Sequence, residues 1–280
     1  MKRVQLGGVI AAALFVMSPL IGYGQASDPI FADFDPKNFD DLAKIDNKLL
    51  PLTPGKKLVL EGKAIDVEGD EETHRIELHT TGLTKKIGGV RTVVVYTNDY
   101  ADDELVESEI SFFAQDKMGN VWFFGEYPEE YESEVFVAAK PWIHGFEDAK
   151  AGLYMKANPT VGEGSHYLGW GPAVEWNDFA KVKEVGQENC VPVACYKDVV
   201  IIDESSLSEK GAFQVKYYAP GVGNFRVGWK GDDAAKEELE LVDFVQLDAD
   251  ALAKLNAGAL ALEKHAYEIS EVYKQTLPAE

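Results

Sequence analysis

The chain has 280 residues, with 27 Lys and Arg set against 48 Asp and Glu, a formal net charge of −21. A surface of this sign repels polyphosphate backbones and anionic lipid, which require neutralising Lys and Arg, so nucleic acid is not an expected partner. The same charge attracts cations and helps keep an exported protein in solution.

In chain order, Lys2 and Arg3 precede an apolar run from Val4 to about Ile21, and Gly24-Gln25-Ala26 supplies small residues where a signal peptidase needs them. Cleavage after Ala26 is expected, the alternative being an uncleaved N-terminal anchor. Removing 26 of the 280 residues leaves 254, with 25 basic against 48 acidic residues and a net charge of −23. No Cys follows the apolar run to take a lipid, and no later stretch approaches the ~20 apolar residues of a membrane span. The mature chain is therefore expected to be soluble, without stable membrane insertion, and to form one β domain at 57–247. An N-terminal arm at 27–56 and a helical segment at 248–280 flank that domain.

The arm scatters Phe31, Phe34 and Phe39 among Asp, Asn and Pro, then turns at Pro51-Leu-Thr-Pro-Gly55. From Lys57 the texture changes to alternating segments. Leu58–Leu60 and His74–His79 flank an acidic turn containing Asp66, Glu68 and Asp70, and Arg91–Tyr96 reads as a buried strand. The strongest signal is Ile110–Tyr127. Two aromatic and β-branched runs enclose Asp116-Lys-Met-Gly-Asn120, the composition of a hairpin turn. Glu132–Ala139 adds a strand, whereas the Gly-rich stretch between Lys140 and Trp176 reads as long loops over one mouth of the sheet. Phe179–Val185, Val199–Ile202, Lys210–Tyr218, Asn224–Trp229 and Glu238–Leu247 complete the strands. Asp248 or Asp250 then caps a helix at Ala251–Lys274, whose stripe of Leu252, Leu255, Ala259, Leu262, Ala266, Ile269 and Tyr273 should dock on the sheet.

Asp35-Pro-Lys-Asn-Phe39, Ile45-Asp-Asn47, Leu50-Pro-Leu-Thr-Pro-Gly55, Ala114-Gln-Asp-Lys-Met-Gly-Asn-Val-Trp-Phe-Phe-Gly-Glu126 and Tyr217-Tyr-Ala-Pro-Gly-Val-Gly223 together resemble a family of exported bacterial proteins with no assigned activity. The resemblance spans nearly the whole mature chain and implies an exported β-rich domain beginning at the Pro-Leu-x-Pro-Gly segment. Leu58, where the family tends to carry an aromatic residue, and the pair Cys190 and Cys195 depart from its pattern.

Chemistry-bearing constellations are sparse. Cys190 and Cys195 are close enough for a small disulfide loop in an exported chain, with two free thiols as the alternative, and they lack the Cys-x-x-Cys spacing of a redox pair. Asp66, Glu68 and Asp70 offer oxygen ligands suited to Ca²⁺ but not in an EF-hand arrangement, so a solvated turn is the simpler reading and no cofactor is otherwise expected. Trp142, His144, His166 and Trp170, all in the Gly-rich stretch, are the residues most suited to a shared pocket. Neither HExxH nor Gly-x-Ser-x-Gly occurs.

The whole reads as a predominantly all-β protein, a strongly curved antiparallel sheet or open barrel with an N-terminal arm and a C-terminal amphipathic helix. The expected function is binding of a small apolar molecule, lipid or glycan. A hydrolase built in loops 144–176 and a structural envelope protein are the competing readings. Aromatic side chains such as Trp122, Phe124, Trp176 and Trp229 could line a cavity or simply fill a core.

Overall fold

The computed structural model describes residues 28–66 and 68–280, so the expected leader at 1–26 lies outside the described residues. The Ile110–Tyr127 signal forms the central hairpin, β4 (Glu104–Gln115) and β5 (Val121–Glu132), with Phe113 opposite Phe123 and Ala114 opposite Trp122. Its turn is held by one side chain. Asp116 Oδ1 accepts the N–H groups of Met118 and Asn120, and Oδ2 accepts Trp122 Nε1, each at 2.9 Å.

Before the hairpin run β1 (Lys56–Ile65), β2 (Glu71–Ile87) and β3 (Val90–Ala101). After it come β6 (Val135–Ala139), β7 (Trp142–Ile143), β8 (Lys150–Met155), β9 (His166–Tyr167) and β10 (Gly169–Trp170). The chain then continues through β11 (Phe179–Val191), β12 (Ala194–Ser205), β13 (Ala212–Ala219), β14 (Gly223–Gly231), β15 (Glu238–Gln246) and the helix α1 (Ala249–Ile269). All fifteen described strands join one antiparallel sheet in the order β10-β8-β5-β4-β3-β2-β1-β15-β14-β13-β12-β11-β9, with β6 and β7 also paired to β5. Except where β1 meets β15, successive positions in this order are mostly sequence neighbours, as in a meander that curls on itself.

The ladder is not closed into a barrel, yet residues 166–170 reach both of its ends. Tyr167 pairs with Phe179 of β11, and Gly169 pairs with Ala151 of β8. The Gly-rich stretch expected to be loop thus contributes four short strands. Glycine permits this because the strands approach too closely for side chains: a Cβ on Gly125, whose φ is +124°, would lie 2.1 Å from the carbonyl oxygen of Trp142.

Both faces of the central strands are covered, which explains their uninterrupted apolar runs. Val94, Phe112, Trp122 and Phe124 pack outward beneath the arm and α1 with Phe39, Leu262, Ala266 and Tyr273. Their sequence neighbours Val93, Val95, Phe113 and Phe123 pack inward with Val182, Ile202 and Tyr218. Phe34 and Phe39 of the arm sit edge-on to Trp122 and Phe124 at centroid separations of 5.6–6.1 Å. The helix begins where its cap predicts, Asp248 accepting the N–H of Ala251 at 2.8 Å, but ends at Ile269, earlier than the apolar stripe suggests. Ser270 leaves the helical conformation and Ile269 is exposed, while Tyr273 is buried from a following short 3₁₀ turn.

Cys190 and Cys195 face each other across the β11–β12 hairpin and are bonded, with S–S 2.02 Å. Because the loop they close is short and lies at an exposed hairpin tip, reduction is expected to cost no more than about 2 kcal/mol. Urea denaturation with and without reductant checks this; a loss of half the protein's stability would show that the bond does more than staple a hairpin.

Candidate functional site

The curl of the sheet leaves a concave interior whose character changes along the strands. At one end, Leu58 and Leu60 of β1, Ile76 and Leu78 of β2, Val95 of β3 and Phe113 of β4 face Tyr154 of β8, Tyr218 of β13 and Val227 of β14 around a cavity of about 140 Å³. Strand register brings them together: Leu58 opposes Leu78 and Leu60 opposes Ile76, so the period of two puts all four on one face.

The arm closes the mouth of this cavity. Leu50 and Leu52 contribute to its lining, and Ile45 and Asn47 are buried. Asn47 is the fastener, its Nδ2 donating to Gly119 O at 2.8 Å while its Oδ1 accepts the N–H of Leu49 at 2.9 Å. On the other side the N–H of Gly221, in the Ala219–Gly223 turn, donates to Lys48 O at 2.8 Å. Between them lies Lys56, only 4% exposed, whose Nζ donates to Pro51 O at 2.8 Å and to Val222 O. The segments Leu50–Gly55 and Tyr217–Gly223 therefore meet at the cavity mouth.

Toward the other end the interior becomes acidic. On β4, Glu107 and Glu109 share a face with Phe113, and register sets them opposite Asp99 and Thr97 of β3. Burial, reinforced by Glu109, Asp99 and Glu130, pushes Glu107 up to about 8. Burial likewise raises Glu109 to about 7, although Ser111 opposes the shift. Glu126 is raised well above its ordinary value by burial and by Glu109 and Glu107, and accepts Trp142 Nε1 at 3.0 Å. Asp178 is pushed up to about 7 by burial and by Glu204, itself raised by burial. His74 works in the opposite sense: burial disfavours its charge, but Asp99 and Glu237 on its two nitrogens outweigh that and lift it to about 10. The acidic end opens to a cleft of about 410 Å³ lined in part by Asp66, Asp178, Glu204, Glu209 and Asp233.

The residues singled out in the sequence are dispersed about this interior. Asp66 turns its carboxylate back on its own loop, Oδ1 accepting the N–H groups of Glu68 at 3.0 Å and Asp70 at 2.8 Å. Among the described residues, no group of three or more His, Cys, Asp or Glu is placed to hold a metal ion. Trp142 is 2% exposed and packs against Phe123 and Trp176, with centroids at 5.1 and 4.7 Å. His144 sits on the outer side between Phe34 and Phe124 and accepts the N–H of Ala151 at 3.0 Å. His166 is buried, with its pKa lowered to about 4 by that burial, and Trp170 borders a separate shallow cleft with Trp176 and Leu207. Among the described residues, Trp142 and Trp170 border different clefts, and His144 lies on the outer side of the sheet.

Of the large aromatics, Trp122 and Phe124 are buried in the layer beneath the arm, and Trp229 lies under the ammonium of Lys236 at 5.6 Å. The cavity lining is instead largely aliphatic, with Phe113, Tyr154 and Tyr218 and with the polar side chains of Lys56, His79, Thr80, Lys216 and Asn224 at its margins. Sequence reading missed Lys56, although a signal existed: Lys56, Leu58 and Leu60 share one strand face, an unusual place for a lysine.

No family model and no curated protein matches the chain. Two solved structures are similar to it, one described as a "putative exported protein with YmcC-like fold" from Bacteroides fragilis and one as a "putative lipoprotein" from Parabacteroides distasonis. Each has a TM-score of 0.39 and 10% identity, with 70% of this chain and 98% of the other covered. Among the described residues no helix is long and apolar enough to cross a membrane.

Proposed function

We propose that the chain is an exported, non-catalytic binding protein that holds a small apolar molecule inside its curved sheet. One observation carries this reading: Leu58, Leu60, Ile76, Leu78, Val95 and Phe113 border a partly open cavity of about 140 Å³ in the interior. Native cores rarely leave apolar space of this size unfilled, and an engineered apolar cavity of about 150 Å³ takes up benzene. The leader-like residues 1–26 support export.

The test is a titration of residues 27–280 with benzene-sized probes, followed through the methyl resonances of Leu58, Leu60 and Val95. Wild-type protein is expected to show saturable shifts at these methyls. Val95→Trp, which fills the space at an overpacking cost of about 1–3 kcal/mol, is expected to abolish them. Shifts confined to surface methyls, or unchanged binding in Val95→Trp, would place the probe elsewhere and defeat the reading.

A further inference from the structure

In a chain with 21 surplus negative charges, the lining of the apolar cavity includes Lys56 and Lys216 and no Asp or Glu. The two lysines differ in their surroundings. Lys216 is near Asp178, Glu204 and Glu237 and favours the charged form of each against its burial, so the protein's own carboxyl groups face it. Lys56 is buried at the cavity mouth and, among the described residues, bonds only to the neutral carbonyls of Pro51 and Val222. An ammonium has three donors, and these two bonds leave one N–H free. Burial without a carboxylate partner is costly, and it pulls the Lys56 pKa down to about 8. Asn224 lines the same cavity, and its amide oxygen lacks a hydrogen-bond partner. Turning that amide by 180° exchanges oxygen for nitrogen and offers a further donor at the same position.

We infer that the guest of this cavity is a small monoanion, a carboxylate whose apolar body is of about the size of benzene and whose charge is held by Lys56. This rests on the apolar-cavity reading above and adds the sign of the charge. The volume sets the body: about 140 Å³ holds a ring or a short chain and excludes a long acyl tail. The single free donor on the one cation without a counter-charge limits the guest to one negative charge. A lysine serving only to tie residue 51 to residue 222 would leave guest charge without effect.

The experiment compares hexanoate, 1-hexanol and hexylamine, equal in chain length and differing in charge, by calorimetric titration of residues 27–280 at pH 7. Hexanoate is expected to bind at least tenfold more tightly than hexanol, and hexylamine most weakly. In Lys56→Met, which shortens the side chain by one atom and removes its charge, the preference for hexanoate over hexanol is expected to disappear. Equal affinities for hexanoate and hexanol in the wild type, or a preference for hexylamine, would overturn the inference and leave the apolar cavity standing. A cavity that takes none of the three would remove the binding reading and this inference with it. If Lys56→Met fails to fold, the charge preference of the wild type still decides, because it needs no variant.

Discussion

Glu263→Leu is expected to lower the free energy of unfolding by about 3–5 kcal/mol and to loosen the C-terminal helix from the sheet. The reason is Lys85 on β2, which is 0% exposed and lies under α1. All three of its donors are used, on Glu263 Oε1 at 2.8 Å, on Tyr267 Oη at 3.0 Å and on the carbonyl of Leu277. The ring of Tyr273 packs over the ammonium at 4.3 Å. Glu263 in turn accepts the Tyr273 hydroxyl at 3.0 Å and the N–H of Ala279 at 3.1 Å. Burial pulls the Lys85 pKa down and Glu263 pulls it back up, so removing the carboxylate leaves a cation with nothing to offset its lost hydration. Removing both charges is different: Lys85→Met with Glu263→Leu is expected to recover most of the loss, because an apolar pair of similar volume often matches a buried ion pair. Urea denaturation of the two variants checks this, with hydrogen exchange of residues 259–266 reporting helix docking. A single-variant loss below about 1 kcal/mol would mean that the apolar stripe alone holds the helix.

The stripe itself was readable. Ala259, Leu262 and Ala266 recur at helical spacing and are buried as that spacing implies, and the Asp248 cap follows from ordinary helix chemistry. The central hairpin was equally legible, because aromatic and β-branched residues around Asp116–Asn120 make local and global preferences agree. What could not be read was which face of each strand the curl would enclose. In Glu104-Leu-Val-Glu-Ser-Glu109 the alternation puts Glu107 and Glu109 on one face without saying whether that face meets water, and the fold carries it into the interior beside Phe113. A period of two assigns residues to a common face but carries no information about closure, which depends on strands distant in sequence. The same limit hid Lys56, whose burial depends on Pro51 and on Val222, 166 positions away. It also hid the dispersal of Trp142, His144, His166 and Trp170, since proximity in a Gly-rich stretch says little about which sides of a sheet its short strands will present.

The inward carboxyls make the protein's stability fall as pH rises from about 4.5 to 8. Glu107, Glu109 and Asp178 titrate in the folded chain near 8, 7 and 7, well above their ordinary values of 4.5, 4.5 and 3.8. Between those limits the folded state holds more protons than the unfolded state, so the derivative of unfolding free energy with pH is negative. Their contribution is fully present below the unfolded values and is lost above the folded ones. His74 acts in the same direction higher up: its folded pKa of about 10 gives stability that is complete below about 6.5 and lost toward 10. His166 opposes them on the acid side, because its folded pKa of about 4 costs stability as pH falls from 6.5. The groups facing the cluster are Asp99, Glu130 and Lys140 around Glu107, Trp142 on Glu126, and Lys216 beside Asp178 and Glu204. The cations among them temper the trend without reversing its sign. The unfolding free energy is thus expected to be greatest near pH 4.5–5, at the acid end of that range, and to drop by on the order of 3 kcal/mol by pH 8. Glu107→Gln with Glu109→Gln should flatten this slope and leave the variant more stable than the wild type at pH 8. Urea midpoints at pH 5, 6, 7 and 8 decide the matter. A midpoint that rises steadily across that range, or a variant that keeps the wild-type slope, would show that water hydrates these carboxylates as fully in the folded chain as in the unfolded one.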